Sequence, residues 1–380
     1  MGYFDVSKCI DDLAPQYLEF LKNICDIKSN SHNKDGVNKV ADFIIDYESA
    51  NVYSTERVSF GHAGDCVCID YICDQQKPMF VFSAHMDTAL DSTDVVTKID
   101  NEFIHGIGAC DCKGGIAVAL LTMAALKKCC FSDANIRLIL QSDEEVSSCL
   151  SNKKTVKYIC EKSKDCKAFF NLEGKYPGSL TVKRAGIITA RFTVTGKSAH
   201  ASKKEQGINA INEAAYKILE IQNSHLNDTI AFNCGVIGGG VASNVIPETC
   251  SFDVEARVNT KADYDKVLQF FGELAEKQYI KGAKTEFEII SDRLPMEETK
   301  QNLDLLEKIS FISEKYGFGK INPRQSLGGS DAAYTTDAGI PTADGLGIVG
   351  FNLHSKNERA EIRSLKDSAK LLAAIVMELS

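Results

Sequence analysis

Acidic and imidazole side chains come directly after three predicted strands in the first half of the chain. They are His85 and Asp87 after the apolar run 79–84, Glu144 and Glu145 after 136–141, and Glu173 after 168–172. In open α/β sheets, ligands bind beyond the carboxyl ends of the strands. We therefore expect these five side chains to lie together at one edge of a sheet.

Asp111 and His354 have suitable side chains to join this group. Asp111 comes just before the Gly114-Gly115 pair that opens a predicted helix over 114–128, and His354 lies near the C-terminus. Imidazole and carboxylate groups are ligands of zinc, and a pair of ions can share a bridging carboxylate. Two ions about 3.5–4 Å apart can polarise a carbonyl and activate a water for attack on it. The sequence therefore predicts a hydrolytic centre with two metal ions.

The roles within this group can be divided between neighbouring residues. Glu144 and Glu145 diverge on a loop, so one can bind metal while the other takes the proton from the water. Asp87 can hold the ring nitrogen of His85 that does not bind metal. Each motif by itself has a simpler explanation: His-x-Asp as a surface turn, Glu-Glu as a solvated loop, and Asp before Gly-Gly as a helix cap. Their joint occurrence at successive strand ends favours the metal site.

The elements that must position these residues change type along the chain. Up to residue 182 strands alternate with helices, including helices over 14–26 and 36–48, which indicates an α/β domain with a largely parallel sheet. The order from there to residue 292 is β-α-β-β-α-β, the split-βαβ or ferredoxin-like arrangement. We therefore predict a catalytic domain of residues 1–182 and 293–380 and an inserted domain of residues 183–292.

Composition and charge exclude several classes of function. A chain of 380 residues fits one large and one smaller domain, and its net charge of −9 argues against nucleic acid or an anionic membrane as the main partner. No apolar run approaches the length of a transmembrane helix, and the start of the sequence lacks the pattern of a signal peptide. The 14 cysteines include no CxxC pair. We expect reduced, mostly buried thiols and a cytoplasmic location.

Taken together, the motifs resemble those of the dinuclear zinc exopeptidases, a family that contains aminoacylases, glutamate carboxypeptidases, acetylornithine deacetylase and succinyl-diaminopimelate desuccinylase. The resemblance runs through essentially the whole chain and is closest to the glutamate carboxypeptidases. It implies a zinc-exopeptidase-type catalytic domain and an inserted domain that dimerises. The segments that carry it are Ser83-Ala84-His85-Met86-Asp87-Thr88, Gly108-Ala109-Cys110-Asp111-Cys112-Lys113-Gly114-Gly115, Asp143-Glu144-Glu145, Glu173, Thr195-Gly196-Lys197-Ser198-Ala199-His200-Ala201, Ser243-Asn244-Val245-Ile246-Pro247, Gly328-Gly329-Ser330-Asp331-Ala332, and the block from Gly339-Ile340-Pro341 through Gly345-Leu346-Gly347 to His354-Ser355.

The resemblance also implies a ligand set and a mechanism. The ligands would be His85, Asp111 and Glu173 for one ion, and Asp111, Glu145 and His354 for the other. Both ions would be zinc, with cobalt or manganese as alternatives for such oxygen-rich sites. Glu144 would be the general base and later the proton donor, and Asp87 would support the ligand His85.

Residues of the inserted domain enter through the resemblance alone. In a homodimer, His200 would reach the partner's site and stabilise the oxyanion, whereas the sequence by itself indicates an inert loop histidine. Asn244 and Arg257 would bind the substrate carboxylate and the oxyanion, although an Arg within a strand is more typical of a structural ion pair. The fork of an arginine suits a carboxylate better than a lysine does. Gly329 would belong to the same substrate site.

Three residues were compared with their counterparts in the family to find which of its members the chain resembles most. Glu173 stands where the family's dipeptidases and tripeptidases typically have Asp, which favours carboxypeptidases and N-deacylases. Arg293 occupies a place similar to that of an Arg which glutamate carboxypeptidases use for the glutamate side chain, with an exposed Arg at the start of a turn as the alternative. Cys112 replaces the usual Met beside Asp111. We expect a change in packing there, with a third metal ligand as the alternative.

The leading hypothesis is a hydrolase of N-acyl or peptidyl amino acids that cleaves the amide bond next to a free carboxylate, with glutamate as the first candidate for the released residue. The rival within the class is a deacetylase or desuccinylase of the acetylornithine or succinyl-diaminopimelate type. A rival from another class is an inactive dimeric relative that binds a metabolite. The intact ligand set and Glu144 argue against this last hypothesis.

Overall fold

The computed structural model describes residues 2–51, 53–90, 95–224 and 226–380, which form two compact units. Unit 1 comprises Met1–Lys183, Glu298–Gln325 and Ser330–Ser380, and unit 2 comprises Arg184–Glu297 and Ser326–Gly329. The boundaries predicted from the sequence lie at 182/183 and 292/293. Arg293 and Gly329, predicted to lie in the larger domain, are grouped with unit 2 in the structure.

The helices and strands of the described residues are as follows. In chain order the strands are β1 (Ser54–Ser59), β2 (Asp65–Tyr71), β3 (Met79–His85), β4 (Lys98–Ile99), β5 (Phe103–His105), β6 (Asn135–Gln141), β7 (Ala168–Asn171), β8 (Ser179–Arg184), β9 (Gly186–Thr195), β10 (Ala199–His200), β11 (Ala231–Gly239), β12 (Val245–Ile246), β13 (Thr249–Val258), β14 (Lys284–Arg293), β15 (Asn322–Ser326), β16 (Thr342–Asp344), β17 (Gly350–Phe351) and β18 (Arg359–Glu361). The α-helices are α1 (Tyr3–Asp26), α2 (Lys34–Glu48), α3 (Lys113–Lys128), α4 (Lys154–Ser163), α5 (Ala210–Gln222), α6 (Lys261–Glu276), α7 (Lys300–Lys315), α8 (Ala332–Asp337) and α9 (Ile362–Leu379).

The main sheet of unit 1 has eight strands in the order β1-β2-β6-β3-β7-β16-β8-β15. Its middle strands β6, β3, β7 and β16 run parallel, whereas β1, β2 and β8 pair antiparallel with their neighbours. Parallel neighbours require crossover connections, and α3 and α4 provide those from β3 to β6 and from β6 to β7. The predicted α/β class is confirmed, with a sheet that is mixed at its edges.

Helices cover both faces of this sheet. Phe80 and Phe82 of β3 belong to the core that α1, α3 and α9 share, whereas Val81 belongs to a second core with Ile159 of α4. This division follows from the alternation of side chains along a strand. The strands and helices of unit 1 thus form three layers, with the sheet between two layers of helices.

Helix α1 begins earlier than predicted, and helix α5 begins at a side-chain cap. Helix α1 begins at Tyr3, well before residue 14, because its first turns also bury apolar side chains, and it contains Pro15 in its interior. Helix α5 begins at Ala210 because the side chain of Asn209 accepts the backbone N–H of Asn212 at 2.9 Å. In the part of the chain that is described, no helix is both long and apolar enough for a membrane span.

Unit 2 has a four-stranded antiparallel sheet in the order β11-β13-β9-β14. Helices α5 and α6 pack on it around a core in which the rings of Phe192 and Phe252 stack with centroids 5.0 Å apart. The main elements follow one another as β-α-β-β-α-β. The ferredoxin-like prediction is therefore confirmed.

Candidate metal centre

The three strand ends that carry acidic or imidazole residues meet because β6, β3 and β7 are neighbours in the sheet. His85 ends β3 and is in register with Gln141, which ends β6. On the other side, Ser83 of β3 is in register with Asn171, which ends β7. The segments that follow these ends therefore leave the sheet side by side, at its carboxyl edge.

The carboxylate of Asp111 lies between two imidazoles. Its Oδ1 is 3.1 Å from Nε2 of His85, and its Oδ2 is 3.1 Å from Nε2 of His354. Oε2 of Glu145 is also 3.1 Å from Nε2 of His354, and Oε1 of Glu173 is 3.8 Å from Nε2 of His85. A carboxylate that presents one oxygen to each side is suited to bridge two ions. The five residues thus form two groups that share Asp111.

The donor set fits divalent metal ions. His85, Asp111 and Glu145 present ligand atoms that all lie within 4.8 Å of one another. Nitrogen and carboxylate oxygen are ligands of zinc, and the same set accepts cobalt or manganese. The candidate site therefore consists of His, Asp and Glu side chains at the positions that the sequence analysis named.

The pKa values of these groups indicate an environment that favours positive charge. Burial alone would raise the pKa of Asp111, but its hydrogen bonds with His354 and His85 hold that pKa well below the usual range. Hydrogen bonds with Asp111 and Glu145 raise the pKa of His354 to about 11. Burial, and then the charge of Asp111, raise the pKa of Glu145 to about 7. The carboxylates of the cluster carry more negative charge than its two imidazoles can neutralise, as expected of groups that bind cations.

Asp87 is fully buried and connects two strand ends. Its carboxylate accepts the backbone N–H groups of Glu144 at 3.1 Å and Glu145 at 3.0 Å, and the hydroxyl of Ser31 at 2.7 Å. Nδ1 of His85 is 2.9 Å from the backbone oxygen of Asp87 and 3.3 Å from its carboxylate. The carboxylate thus orients mainly the Glu144-Glu145 pair, and the backbone carbonyl makes the nearer contact with His85.

Glu144 lies beside this cluster, slightly farther from Nε2 of His85 than Asp111 and Glu173 are. Its side chain is buried, and its Oε2 is 4.0 Å from Nε2 of His85. The carboxylate of Asp87 accepts the backbone N–H groups of both Glu144 and Glu145. It therefore fixes the backbone from which both side chains project.

Cys112 is buried next to Asp111. Its thiol donates to the backbone oxygen of Leu172 at 3.1 Å, and burial raises its pKa well above the usual value. Its sulfur also lies within 4.8 Å of ligand atoms of His85 and Glu173. Burial and the hydrogen bond to Leu172 fit the packing role predicted for Cys112, and its place beside His85 and Glu173 keeps a third metal ligand as the alternative.

His200 and Asn244 are neighbours in unit 2. His200 ends β10 and is in register with Val245 of β12, while the backbone oxygen of Asn244 accepts the N–H of Ala201 at 2.9 Å. Nδ1 of His200 accepts the backbone N–H of Ser202 at 3.2 Å. The ring is exposed, and in its neutral form the proton is therefore on Nε2.

Arg257 forms the structural ion pair that was predicted as the alternative to substrate binding. Its Nε donates to Glu255 at 2.8 Å, as a structural ion pair would, and a terminal nitrogen donates to the backbone oxygen of Leu327 at 3.0 Å. Its side chain remains 43% exposed, so the guanidinium is accessible to an anion.

Arg293 and Gly329 are in contact within unit 2. A Cβ added to Gly329 would lie 2.2 Å from Cδ of Arg293, so only glycine leaves room for this side chain. Arg293 ends β14 and is only 5% exposed. The alternative of an exposed Arg at the start of a turn is therefore wrong. Arg184, which the sequence analysis did not single out, donates to the backbone oxygens of Gly328 and Gly329 at 3.2 and 3.3 Å.

Ser31, Arg184 and Glu358 contact candidate site residues, but no role was predicted for them from the sequence. Each makes its contact with a residue far away along the chain. Periodicity and motifs in a sequence indicate only residues that are close along the chain. Of these three residues, Glu358 alone lies near a predicted ligand in the sequence, four residues after His354.

The profile of peptidase family M20/M25/M40 matches residues 81–378. The chain belongs to this family. The prediction of a metal-dependent hydrolytic enzyme is thereby confirmed, and the hypothesis of an inactive metabolite-binding relative is not supported.

Similar proteins extend over nearly the whole chain. Carboxypeptidase G2 of Pseudomonas sp. (strain RS-16) is 26% identical, over 97% of this chain and 90% of the relative. Succinyl-diaminopimelate desuccinylase of Sulfurimonas denitrificans is 23% identical, over 95% and 98%. Among solved structures, aminopeptidase PepT from Bacillus cereus has a TM-score of 0.79 at 20% identity, covering 96% of this chain and 98% of its own. The Bacillus subtilis YXEP protein, a dinuclear metal-binding peptidase of the M20 family, has a TM-score of 0.72 at 17% identity, covering 97% and 99%.

Proposed function

We propose that this enzyme uses two divalent ions, in the first instance zinc, to cleave the amide bond of a peptidyl or N-acyl amino acid and release the residue with the free carboxylate. The carboxylate of Asp111 carries this proposal, because its two oxygens lie 3.1 Å from the imidazoles of His85 and His354. Glu173 would complete the first set of ligands and Glu145 the second. When bound, the ions would supply Lewis acidity and lower the pKa of a water.

Glu144 moves the proton in this mechanism. Its carboxylate takes the proton from the attacking water and delivers it to the leaving amine. Asp87 supports this role by holding the backbone N–H of Glu144 at 3.1 Å, which fixes the backbone from which the base projects. Burial of Glu144 keeps its carboxylate away from bulk water, which would compete for the proton.

Residues of unit 2 bind the substrate carboxylate and the oxyanion. Arg257, Arg293 and Asn244 would recognise the substrate, with Gly329 leaving room for the side chain of Arg293. Guanidinium groups bind carboxylates through paired hydrogen bonds, which gives both affinity and orientation. His200 of the partner subunit would donate to the oxyanion, and the neutral Nε2–H tautomer that Ser202 favours is the donor form.

We propose a homodimer formed through unit 2. Strand β11 lies at one end of the sheet order, and Val236 and Ile237 on it are 61% and 56% exposed. On helix α5, Tyr216 and Leu219 are also more than half exposed. An edge strand with exposed apolar side chains is a template for pairing with a second chain.

The 14 free cysteines support a reducing, cytosolic location for the enzyme.

Two substrate classes remain in competition. The similarity to carboxypeptidase G2 favours release of a C-terminal amino acid, and the buried Arg293 makes glutamate the first candidate. The similarity to succinyl-diaminopimelate desuccinylase favours an N-acyl substrate of that type as the second.

The deciding experiment is hydrolysis of a panel of dipeptides, folate-like glutamates and N-acyl amino acids by metal-loaded enzyme, with a chelated sample as control. Chelator-sensitive release of glutamate supports the carboxypeptidase. Turnover confined to acetylornithine or succinyl-diaminopimelate shifts the assignment to the deacylases. Turnover that survives complete metal removal contradicts the proposed mechanism.

A further inference from the structure

Glu358 is a buried carboxylate that binds the loop leading to Asp111. Its side chain is 3% exposed. Oε1 accepts the backbone N–H groups of Cys110 at 2.9 Å and Asp111 at 3.0 Å, and Oε2 accepts that of Gly108 at 2.9 Å. The backbone oxygen of Glu358 accepts a fourth N–H, from Gly106, at 3.0 Å. One residue therefore fixes the course of this loop from its start to the shared ligand.

The same residue closes the turn that carries His354. The backbone N–H of Glu358 donates to the oxygen of Ser355 at 3.2 Å. Within this turn, Asn352 and His354 have φ angles of 58° and 56°, a region that residues other than glycine seldom occupy. A backbone in such a conformation persists only where its surroundings hold it. Glu358 supplies part of that support.

We propose that Glu358 is the positioning residue of the metal centre, which sets the distance between Asp111 and His354 so that both reach the same ion. This inference rests on the proposed metal centre and adds a residue to it. Glu358 is 247 residues from Asp111 along the chain but four from His354, so it links the two ligand loops. His354 belongs to the second proposed ligand set, so an error in its distance from Asp111 weakens mainly the second ion site.

The contacts of Glu358 require a carboxylate in particular. Three N–H donors converge on its two oxygens, whereas the amide of a glutamine would present a donor of its own to at least one of them. Glu358→Gln has nearly the same size and removes the acceptor at one position only. Loss of such a supporting contact typically weakens metal affinity by about 10–100-fold. Because Glu358 is a partner of the ligand loops and not of substrate residues, kcat should fall much more than KM rises.

The experiment compares metal binding by the wild-type chain, Glu358→Gln and a matched control, Glu213→Gln. Glu213 is also fully buried and also accepts backbone N–H groups, from Tyr279 at 3.0 Å and Ile280 at 2.6 Å, but it lies in unit 2. Each metal-free protein is titrated with Zn²⁺ by calorimetry and with Co²⁺ by visible absorption. Circular dichroism of the metal-free proteins reports folding separately.

A weaker second binding step and a changed Co²⁺ spectrum in Glu358→Gln, with neither in Glu213→Gln, support the inference. Excess metal should then restore part of the activity. Wild-type affinity and spectrum in a folded Glu358→Gln protein would overturn it while leaving the proposed function intact. A wild-type chain that takes up fewer than two ions would overturn both.

A second variant covers the case in which Glu358→Gln does not fold. Glu358→Asp keeps the charge and both acceptors but shortens the side chain by one methylene. It should retain the fold and bind the second ion more weakly than the wild type. Wild-type affinity in this variant would overturn the inference in that case.

Discussion

At the scale of residues, carboxylates of the same chemical type differ in what they do because their hydrogen-bond partners differ. Asp111 faces two imidazoles, whereas Asp87 and Glu358 accept backbone N–H groups. When backbone N–H groups already occupy the oxygens of a carboxylate, few lone pairs remain to bind a cation. The hydrogen bonds of such a carboxylate stabilise the conformation of a loop. The division between ligands and positioning residues follows from these partners.

Replacement of Glu144 tests the proton-transfer step. Glu144→Ala should lower kcat by about 10²–10⁴-fold, since general acid–base catalysis typically contributes that much. It should keep both ions, because the five ligand side chains remain. Steady-state kinetics and metal analysis of the same preparation measure the two effects. Unchanged turnover would remove Glu144 from the mechanism.

Replacement of Arg293 tests substrate preference. Arg293→Ala should reduce the preference for C-terminal glutamate over leucine, measured as a ratio of kcat/KM values, by about 10-fold or more, because a hydrogen bond to a charged group is lost. Arg293→Lys should recover only part of it, since lysine lacks the planar fork. The control is Arg191→Ala, which removes an exposed arginine paired with Asp253 in the same unit. An unaltered preference in a folded Arg293→Ala protein would show that another residue selects glutamate.

At the scale of elements, the site depends on how closely helix α3 approaches the sheet. The helix begins at Lys113, two residues after Asp111, so its position determines that of the shared ligand. A Cβ at Gly115 would lie 2.1 Å from the backbone oxygen of Leu172, which precedes the ligand Glu173. Glycine thus permits a contact between two ligand-bearing segments that no other residue allows.

Two glycine-to-alanine substitutions in helices should have opposite effects on stability. Gly115→Ala should lower the free energy of unfolding by about 1–3 kcal/mol, because the added methyl forces backbone apart. Gly272→Ala in α6 should raise it by about 0.5–1 kcal/mol, since nothing lies within 4 Å of the added Cβ and alanine is the better helix former. Urea denaturation of both variants measures the difference. A neutral Gly115→Ala would mean that α3 can move without cost.

At the scale of the whole molecule, each unit has its own core and its own share of the chemistry. Unit 1 contains the complete set of candidate ligands and Glu144, whereas unit 2 contains His200 and the candidate substrate arginines. If His200 acts in the partner's site, activity requires assembly, even though the candidate metal ligands all lie in unit 1.

A charge placed on the edge of unit 2 tests that dependence. Ile237→Lys on β11 should convert the dimer to a monomer, because a lysine on an edge strand opposes pairing. Activity should fall while metal content stays unchanged. Ile290→Lys on β14, at the opposite end of the sheet and 41% exposed, is the matched control and should remain dimeric. Light scattering coupled to size-exclusion chromatography measures the mass, and a monomeric wild type would contradict the proposal.

The sequence by itself determined the class of fold, the order of the elements in the inserted unit, and which residue types follow each central strand. These features are local: a strand or helix is recognised from the periodicity of its own side chains, and His85 or Glu173 is then found by position. The tertiary structure alone decided that β6, β3 and β7 lie side by side and that the nearer partner of His85 is a backbone carbonyl. It also decided that Arg293 is buried against Gly329 and that Glu358 holds the loop of Asp111. Such contacts join residues up to 250 positions apart, and their geometry depends on register and packing that no short segment of sequence encodes.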